Sequence, residues 1–227
     1  MGMLKSSLAF LVLAFAFFFC FVMSTGSYDY FQFVQQWPPT NCRFRNKRPC
    51  SKPRPLQNFT IHGLWPSNYS NPTKPSNCIG SQFNESKLSP KLRSKLKISW
   101  PDVESGNDTK FWEGEWNKHG TCSQDTLNQT QYFARSHAFW NIRNITEILK
   151  NASILPHPTQ TWKYSDIVSP IKAVTHRTPL LRCKSDPAHP NNPQLLHEVV
   201  FCYEFNALKL IDCNRTSRCG NQPISFQ

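Results

Sequence analysis

Residues 111–122 read FWEGEWNKHGTC, and the rest of the chain can be interpreted around this stretch. Its first nine residues include two acids, a lysine, a histidine and three aromatic side chains. Read as a helix with about 100° per residue, the stretch predicts one face formed by Phe111, Glu115, Lys118 and His119. Trp112 and Trp116 fall on the adjoining arc and are predicted to pack in the core. Gly120 is predicted to end the helix, and Cys122 to fix that end.

A helix face with Glu, Lys and His is by itself usually a solvated surface with weak ion pairs. A second motif changes this interpretation, because residues 59–66 read FTIHGLWP and place His62 in a predicted strand. Two histidines with an ordinary pKa of about 6.5 can act together as acid and base near neutral or mildly acidic pH. We therefore interpret His62 and His119 as a candidate catalytic pair.

The first 27 residues have the pattern of a secretory signal peptide. Lys5 forms a short positive region, and Leu8 to Met23 is an apolar run of 16 residues. Small residues at 24–27 suit cleavage by a signal peptidase. The alternative is a membrane anchor, but the run is shorter than the ~20 residues that span a bilayer. We expect residues 28–227 to form one secreted, extracellular domain without a membrane span.

Cysteine usage agrees with secretion. Cys20 lies in the predicted signal peptide, and an even number of cysteines follows it. In a secreted chain this predicts four disulfide bonds, although the spacing does not choose among the many possible pairings. The cysteines involved are Cys42, Cys50, Cys78, Cys122, Cys183, Cys202, Cys213 and Cys219.

Asn-X-Ser/Thr sequons predict that the secreted chain is a glycoprotein. The sequon at Asn58 is doubtful, because it opens the strand that carries His62. The others are predicted glycosylation sites, at Asn68, Asn84, Asn107, Asn128, Asn144, Asn151 and Asn214.

The chain is strongly basic, with a formal net charge of +12. Removal of Lys5 with the signal peptide leaves 25 basic and 14 acidic residues, a net charge of +11. A secreted protein with this charge favours a polyanionic partner such as nucleic acid, or an acidic surface. Charge alone supports simple solubility equally well.

The N-terminal part predicts strands separated by a stapled loop. Tyr30–Gln36 is aromatic-rich and partly alternating, which predicts a strand that ends at Trp37. Residues 40–55 predict a disulfide-stapled loop, and residues 58–64 a second strand. The segment from 67 to 81 is rich in Asn, Pro and Ser and predicts an irregular, exposed loop.

Helices are predicted between the strands. Ser89 and Pro90 predict a short helix start, with Leu92 and Leu96 on its buried face. A longer helix is predicted over residues 130–150. Another is predicted over residues 164–174, capped by Ser165.

The C-terminal part predicts a β-hairpin, with strands over residues 199–205 and 208–213 joined at Asn206-Ala207. Strands at both ends with helices between them predict an α+β fold.

The two motifs together suit phosphodiester cleavage. Lys118 is a compact cation suited to the charge that builds on non-bridging oxygens, and Glu115 can orient a histidine or act in protonated form. Phe111 and Trp65 offer ring faces on which bases can stack, worth ~1–3 kcal/mol per base. No cofactor is predicted, and no metal cluster of usual spacing occurs, although His119 and Cys122 could be two zinc ligands. Cleavage without a metal favours RNA, whose 2′-hydroxyl is a built-in nucleophile.

At this point the sequence resembles a known family. FTIHGLWP (residues 59–66) and FWEGEWNKHGTC (residues 111–122) look like the two active-site signatures of the T2-type ribonucleases, in the right order. Further similarity covers nearly the whole chain after the signal peptide, through FVQQWP (33–38), WPDV (100–103), LLRC (180–183) and LIDC (210–213). The basic charge, glycosylation signals and secretion look like the self-incompatibility branch, the S-RNases of the plant style.

The resemblance implies roles for individual residues. His62 would be the acid that protonates the leaving 5′-oxygen, and His119 the base on the 2′-hydroxyl. Glu115 and Lys118 would stabilise the pentacoordinate state. The implied base site consists of Gln36, Asp102, Val103 and Phe111.

The resemblance also implies the fold and the disulfides. The expected fold is an antiparallel β-sheet core flanked by helices. The implied disulfides are Cys42–Cys50, Cys78–Cys122, Cys183–Cys219 and Cys202–Cys213.

The sequence departs from the family pattern at three positions. Gly114 stands where many members have a third histidine, and Ser67 where some have Asp. Asp102 stands where uracil-preferring relatives have Asn, so base preference does not transfer. His137, His157, His176, His189 and His197 lie outside both signatures and are interpreted as structural or solvated.

These observations predict a secreted, monomeric endoribonuclease that cleaves single-stranded RNA through a 2′,3′-cyclic phosphate. In the self-incompatibility role, the implied partner is a pollen recognition protein of the F-box type. We expect that partner to contact the loop at 67–81, apart from the catalytic cleft. The alternatives are a catalytically weak, basic RNA-binding defence protein and an extracellular RNase that scavenges phosphate.

Overall fold

The computed structural model of the chain describes residues 27–43, 50–51, 56–185, 189 and 191–227. The predicted signal peptide therefore lies outside the described residues, except for Ser27, and so does much of the predicted loop at 40–55. The strands are β1 (Tyr30–Gln36), β2 (Thr60–Ser67), β3 (Thr161–Trp162), β4 (Leu180–Lys184), β5 (Gln194–Glu204), β6 (Leu210–Ile211) and β7 (Ile224–Ser225). The α-helices are α1 (Pro38–Arg43), α2 (Pro90–Ser99), α3 (Asp108–Lys118), α4 (Gln129–Ile142), α5 (Ile145–Asn151) and α6 (Tyr164–Thr175).

The strands form a sheet centred on the long strand β5. The order is β2-β1-β5-β7-β3, and β4 and β6 also pair with β5. All pairs are antiparallel except β5 with β7, which run parallel. The α+β prediction is therefore confirmed, with the difference that the sheet is mixed at one pair.

The two faces of the sheet have different environments. Phe31, Phe33 and Phe201 point into the large core that the helices cover. The alternate positions form the other face, where a small cluster around Tyr30, Val34 and Val200 is buried. This second face also carries the polar side chains of the site described below.

The edge strand β2 is covered by aromatic donors from the helical layer. Within the described sheet, β2 pairs on one side with β1, so its other side must find different partners. The indole of Trp100 donates to the carbonyl of His62 at 3.1 Å, and the hydroxyl of Tyr132 donates to the carbonyl of Leu64 at 2.8 Å. These bonds satisfy strand carbonyls and fix the backbone of the FTIHGLWP motif.

A β-bulge places His62. In the pairing of β1 with β2, Gln35 lies opposite Ile61 and Val34 lies opposite Gly63, so His62 is an extra residue in β2. The bulge allows both Ile61 and Leu64, three residues apart, to be fully buried in the core. His62 is thereby turned toward the opposite face of the sheet.

Helix α3 carries the stretch that opened the sequence analysis. It begins at Asp108, earlier than predicted, because the side chain of Asn107 accepts a hydrogen bond from the backbone N–H of Lys110. Trp112 and Trp116 are fully buried, as predicted. The indole of Trp112 donates to the Trp100 carbonyl at 2.8 Å. Since Trp100 itself holds the His62 carbonyl, these two indoles connect α3 to the bulge.

Gly120 does not act as the predicted helix stop. Helix α3 ends at Lys118, and Gly120 opens a 3-10 turn, Gly120–Ser123. A Cβ at Gly120 would lie 2.2 Å from the ring of Trp116, so this glycine permits a close approach and does not provide a left-handed cap.

Three other local predictions were incomplete or wrong. The predicted helix at 130–150 is two helices, because Asn144 caps α5 through the backbone N–H of Glu147. Helix α6 begins after Lys163, whose N–H is accepted by Asp166, and Ser165 is not its cap. Strand β4 was not predicted.

All four implied disulfides are confirmed: Cys42–Cys50, Cys78–Cys122, Cys183–Cys219 and Cys202–Cys213. Cys122 therefore fixes the end of α3, as predicted, and is not available as a zinc ligand. Cys78–Cys122 closes the longest of these loops, with a separation of 44 residues, and stabilises the fold by roughly 4 kcal/mol in the chain-entropy account. None of the helices in the described part of the chain is long and apolar enough to cross a membrane.

Candidate active site

One open cleft brings the two sequence motifs together. It has a volume of about 930 Å³ and lies on the polar face of the sheet. All four predicted catalytic residues line it: His62, Glu115, Lys118 and His119. The bulge in β2 supplies the first of these, and α3 with its C-terminal residue supplies the others.

His62 is held by a carboxylate from the central strand. Its Nδ1 lies 2.6 Å from Oε1 of Glu198, and the other oxygen of Glu198 accepts a hydrogen bond from Arg182 at 2.9 Å. Removal from water lowers the pKa of His62, but the hydrogen bond and the charges of Glu198 and Glu115 outweigh this and raise it above the ordinary value. His62 is therefore poised to carry a proton.

Glu198 is buried, and its surroundings keep it ionised. Burial alone would raise its pKa, but the hydrogen bond and charge of His62, with the charges of His197 and Arg182, hold the pKa well below its usual range. A buried carboxylate with a histidine on one oxygen and a guanidinium on the other orients the imidazole ring.

His119 has the opposite character. The residue is 8% exposed, and its Nδ1 has no hydrogen-bond partner among the described residues. Burial, together with the charges of Lys118 and His62, lowers its pKa to about 3. The ring stacks on Trp65 at 5.1 Å between centroids. His119 is therefore neutral near pH 7 and can accept a proton.

Glu115 is buried against the second motif. Its Oε2 accepts a hydrogen bond from the indole of Trp65 at 2.8 Å. Burial raises its pKa, against the lowering effects of His62, Trp65 and Lys118. This carboxyl group can thus hold a proton more readily than an exposed one.

The four predicted base-site residues do not line this cleft, but two of them adjoin residues that do. The ring of Phe111 is 6.2 Å from that of His62. Gln36 is buried at the end of β1, where it lies opposite Glu198 in the sheet. The carboxylate of Asp102 accepts the N–H groups of Glu104 and Ser105 in its own turn, next to Val103. None of these four lines the 930 Å³ cleft.

Trp65 lines the cleft, but its ring already has neighbours. His119 stacks on it, and the guanidinium of Arg182 lies 5.2 Å from its centroid. Its indole N–H is bonded to Glu115. The geometry indicates a positioning role for Trp65 beside or in place of the predicted base stacking.

Sequence reasoning missed Glu198, Arg182 and His197, which lie on β4 and β5. Glu198 and Arg182 face each other in the strand register, and His197 is the extra residue of a second bulge between them. A charged residue inside the apolar pattern LLHEVVF was the available signal, since a central strand rarely buries a carboxylate without a function. His197 was interpreted as structural or solvated; its side chain is 12% exposed, its Nε2 lies 3.2 Å from Oδ1 of Asn41, and it also lines the cleft.

The expectation that the loop at 67–81 lies apart from the cleft is also wrong. Pro72, Thr73, Lys74 and Ser76 line the same cleft as His62. Gln32 on β1 donates to the carbonyl of Pro72 at 3.2 Å, which ties the loop to the polar face of the sheet. An exchange of this loop is therefore expected to disturb RNA cleavage as well as any partner contact.

Two glycines provide a matched test of the Glu115 environment. A Cβ at Gly63 would lie 2.2 Å from Oε2 of Glu115 and 2.1 Å from Nε1 of Trp65, whereas Gly114 has open space around it. We expect Gly63→Ala to break the Trp65–Glu115 hydrogen bond, to lower kcat and to destabilise the fold by about 1–3 kcal/mol. Gly114→Ala is expected to raise the free energy of unfolding by about 0.5–1 kcal/mol with activity retained.

Denaturant unfolding and steady-state kinetics on both variants check this prediction. Equal kinetic effects of the two substitutions would contradict the inference that the absence of a side chain at Gly63 makes room for the Trp65–Glu115 hydrogen bond.

Comparison with known proteins agrees with the fold. The Ribonuclease T2 family matches residues 28–213. Ribonuclease MC of Momordica charantia is 39% identical over 198 residues, covering 85% of this chain and 97% of the relative. Ribonuclease S-1 of Pyrus pyrifolia is 35% identical over 195 residues, covering 84% and 82%.

Solved structures give the same result. Ribonuclease MC1 from bitter gourd seeds superimposes with a TM-score of 0.80 at 38% identity, covering 88% of this chain and all of that one. Mutants of that enzyme have been crystallised in complex with 5′-GMP and with 5′-UMP.

The disulfide-linked α+β fold of this chain is the fold of the ribonucleases that it matches. The chain belongs to the Ribonuclease T2 family and is an endoribonuclease of that type.

Proposed function

We propose that His62 is the general acid and His119 the general base of a metal-independent transphosphorylation on single-stranded RNA. The observation that carries this assignment is that the pKa of one histidine in the cleft is raised and that of the other is lowered. His62 is held as a proton carrier by Glu198, and His119 is kept neutral by burial. An acid and a base with separated pKa values are what a concerted proton transfer requires.

The step follows from these positions. His119 takes the proton of the 2′-hydroxyl, the 2′-oxygen attacks the phosphorus, and the bond to the 5′-oxygen breaks. His62 donates its proton to that 5′-oxygen. The products are a 2′,3′-cyclic phosphate and a fragment with a free 5′-hydroxyl.

Lys118 and Glu115 stabilise the charge of the pentacoordinate state. Lys118 lines the cleft beside both histidines and supplies a positive charge to the non-bridging oxygens. Glu115, whose pKa burial raises, can donate a hydrogen bond to the phosphorane when it holds a proton. Trp65 fixes the carboxyl group for this role.

Bases bind outside the catalytic cleft in this proposal. Phe111 stacks on the base nearest His62, and Gln36, Asp102 and Val103 complete the site on that side. Relatives crystallised with 5′-GMP and 5′-UMP support nucleotide binding in this fold.

Secretion and glycosylation belong to the same proposal. The signal pattern at 1–27 and four disulfides support an extracellular protein, which is a monomer in this proposal. Several predicted glycosylation sites are exposed helix N-caps, where Oδ1 accepts a backbone N–H and Nδ2 remains available for the sugar; these are Asn84, Asn107, Asn128 and Asn144.

The biological role proposed is that of a style-side S-RNase with a pollen F-box partner. The basic charge and the similarity to Ribonuclease S-1 support this role, whereas relatives such as Ribonuclease MC carry no S designation. Expression in the style and its absence from the root would favour this role over phosphate scavenging.

The chemistry is tested by identification of the products. Cleavage of single-stranded RNA in the presence of EDTA is expected to yield 2′,3′-cyclic phosphate ends, detected by mass spectrometry, and DNA of the same sequence is expected to remain intact. RNA binding without turnover would instead identify the weak RNA-binding alternative. Chelator-sensitive activity restored by zinc would overturn the metal-free mechanism.

A further inference from the structure

The cleft extends well beyond the catalytic residues. Its volume of about 930 Å³ is near the upper end of the roughly 300–1,000 Å³ typical of ligand sites. Three separate segments that carry none of the four predicted catalytic residues also line the cleft: residues 72–76, the end of β4 and residues 214–218. We refer to the part of the cleft defined by Lys74, Arg215 and Arg218 as the basic arm.

The charge of the basic arm is of one sign. The two carboxylates that line the cleft, Glu115 and Glu198, are at the catalytic end and are engaged by Trp65 and by His62 and Arg182. No other acidic side chain among the described residues lines the cleft. Like charges in one part of a cleft repel one another, and a polyanion relieves that repulsion.

The segments of the basic arm are fixed to one another. The guanidinium of Arg215 donates to the carbonyl of Tyr69 at 2.9 Å and also contacts the hydroxyl of Tyr30. The ring of Tyr30 stacks on that of Tyr69 at 4.9 Å. Cys183–Cys219 joins the C-terminal segment to β4. The backbone segments that carry these cations are therefore joined before a ligand arrives, which lowers the entropic cost of binding.

We propose that the basic arm binds the phosphates of RNA nucleotides beyond the scissile one, so that the enzyme favours long single strands over dinucleotides. The arm opens directly from the catalytic residues, and a strand whose scissile phosphate lies at Lys118 continues along it. Lys74 and Arg218 are exposed and form no ion pair with another described residue, so they can contact successive phosphates. This inference rests on the proposed placement of the scissile phosphate.

The test compares Lys74→Ala/Arg218→Ala with a control of equal charge, Lys91→Ala/Lys97→Ala, on the exposed side of α2. The substrates are a dinucleoside monophosphate and an unstructured RNA of about 20 nucleotides, at several salt concentrations. For the long RNA, we expect the test variant to lose kcat/KM and to flatten the salt slope by about 0.7 per removed cation. For the dinucleotide, both variants are expected to match the wild type within about twofold.

A second measurement does not depend on turnover. A 2′-O-methyl RNA of about 20 nucleotides lacks the nucleophile and is expected to protect Lys74 from acetylation, whereas the dinucleotide is not. Equal losses on both substrates, or a salt slope unchanged relative to the control pair, would overturn the proposal and leave an acidic protein as the alternative ligand of the arm. Failure of the wild type to cleave even the dinucleotide would instead contradict the proposed catalytic function.

Discussion

His62→Ala and His119→Ala are each expected to lower kcat/KM for RNA by roughly 10²–10⁴ while the protein remains folded. One histidine cannot donate and accept a proton in the same step, so neither can replace the other. His62 is anchored on Glu198, and His119 is buried against Trp65, which gives each a distinct role.

Single-turnover kinetics with circular dichroism of each variant measure this effect. His157→Ala is the matched control, because that histidine is exposed and lies in a turn outside the cleft. A His62 or His119 variant that kept more than half of the activity would exclude the assignment.

Glu198→Gln is expected to reduce activity by about tenfold or more at pH 7 and to move the basic limb of the pH profile to lower pH. In the proposed mechanism, activity requires protonated His62 and neutral His119. Because the pKa of His62 is raised and that of His119 is about 3, activity is expected to persist into acid and to fall as pH rises through the His62 value. Loss of the carboxylate removes the group that raises the His62 pKa, and each unit of that shift is tenfold in protonation equilibrium.

The measurement is kcat/KM against pH for the wild type, Glu198→Gln and Glu198→Asp. The Glu198→Asp variant keeps the negative charge, so its activity is expected to fall at a higher pH than that of the Glu198→Gln variant. A merely structural role for Glu198 would lower activity at all pH values without moving the limb.

The same linkage affects stability. The Glu198 pKa is lowered in the folded state, so its stabilising contribution is present above the unfolded value of about 4.3 and is lost as pH falls below it. The contribution of His62 has the opposite sign: it is complete below about pH 6.5 and is lost as pH rises through the folded pKa.

The sequence alone determined which catalytic side chains the two signature motifs carry and which elements hold them. The spacing of Trp112 and Trp116 predicted the buried face of α3, and the alternation at 30–36 predicted β1 with its observed bounds. Both signatures could be found because they are continuous in the chain. The resemblance they carried also implied the disulfide pairs, which spacing alone could not choose.

Only the tertiary structure placed the third partner of the site. Glu198 lies 136 residues after His62 and becomes its neighbour because β5 occupies the centre of the sheet. The tertiary structure also decided that the loop at 72–76 borders the cleft, since the hydrogen bond from Gln32 to the Pro72 carbonyl joins residues that are 40 apart in sequence. No local pattern encodes such pairings.

The β-bulge at His62 separates most clearly what the sequence determined from what the tertiary structure decided. Strict alternation in β2 would place Ile61 and Leu64 on opposite faces, and the local signal of an irregularity in the motif is Gly63, since a glycine inside a strand often marks a bulge. The pairing with β1 and the indole of Trp100 hold the extra residue, so that both apolar side chains reach the core while His62 faces Glu198. The sequence determined that a histidine occupies position 62. The packing of the sheet against the helices decided the direction of its side chain, because Ile61 and Leu64 can both be buried only with the bulge in place.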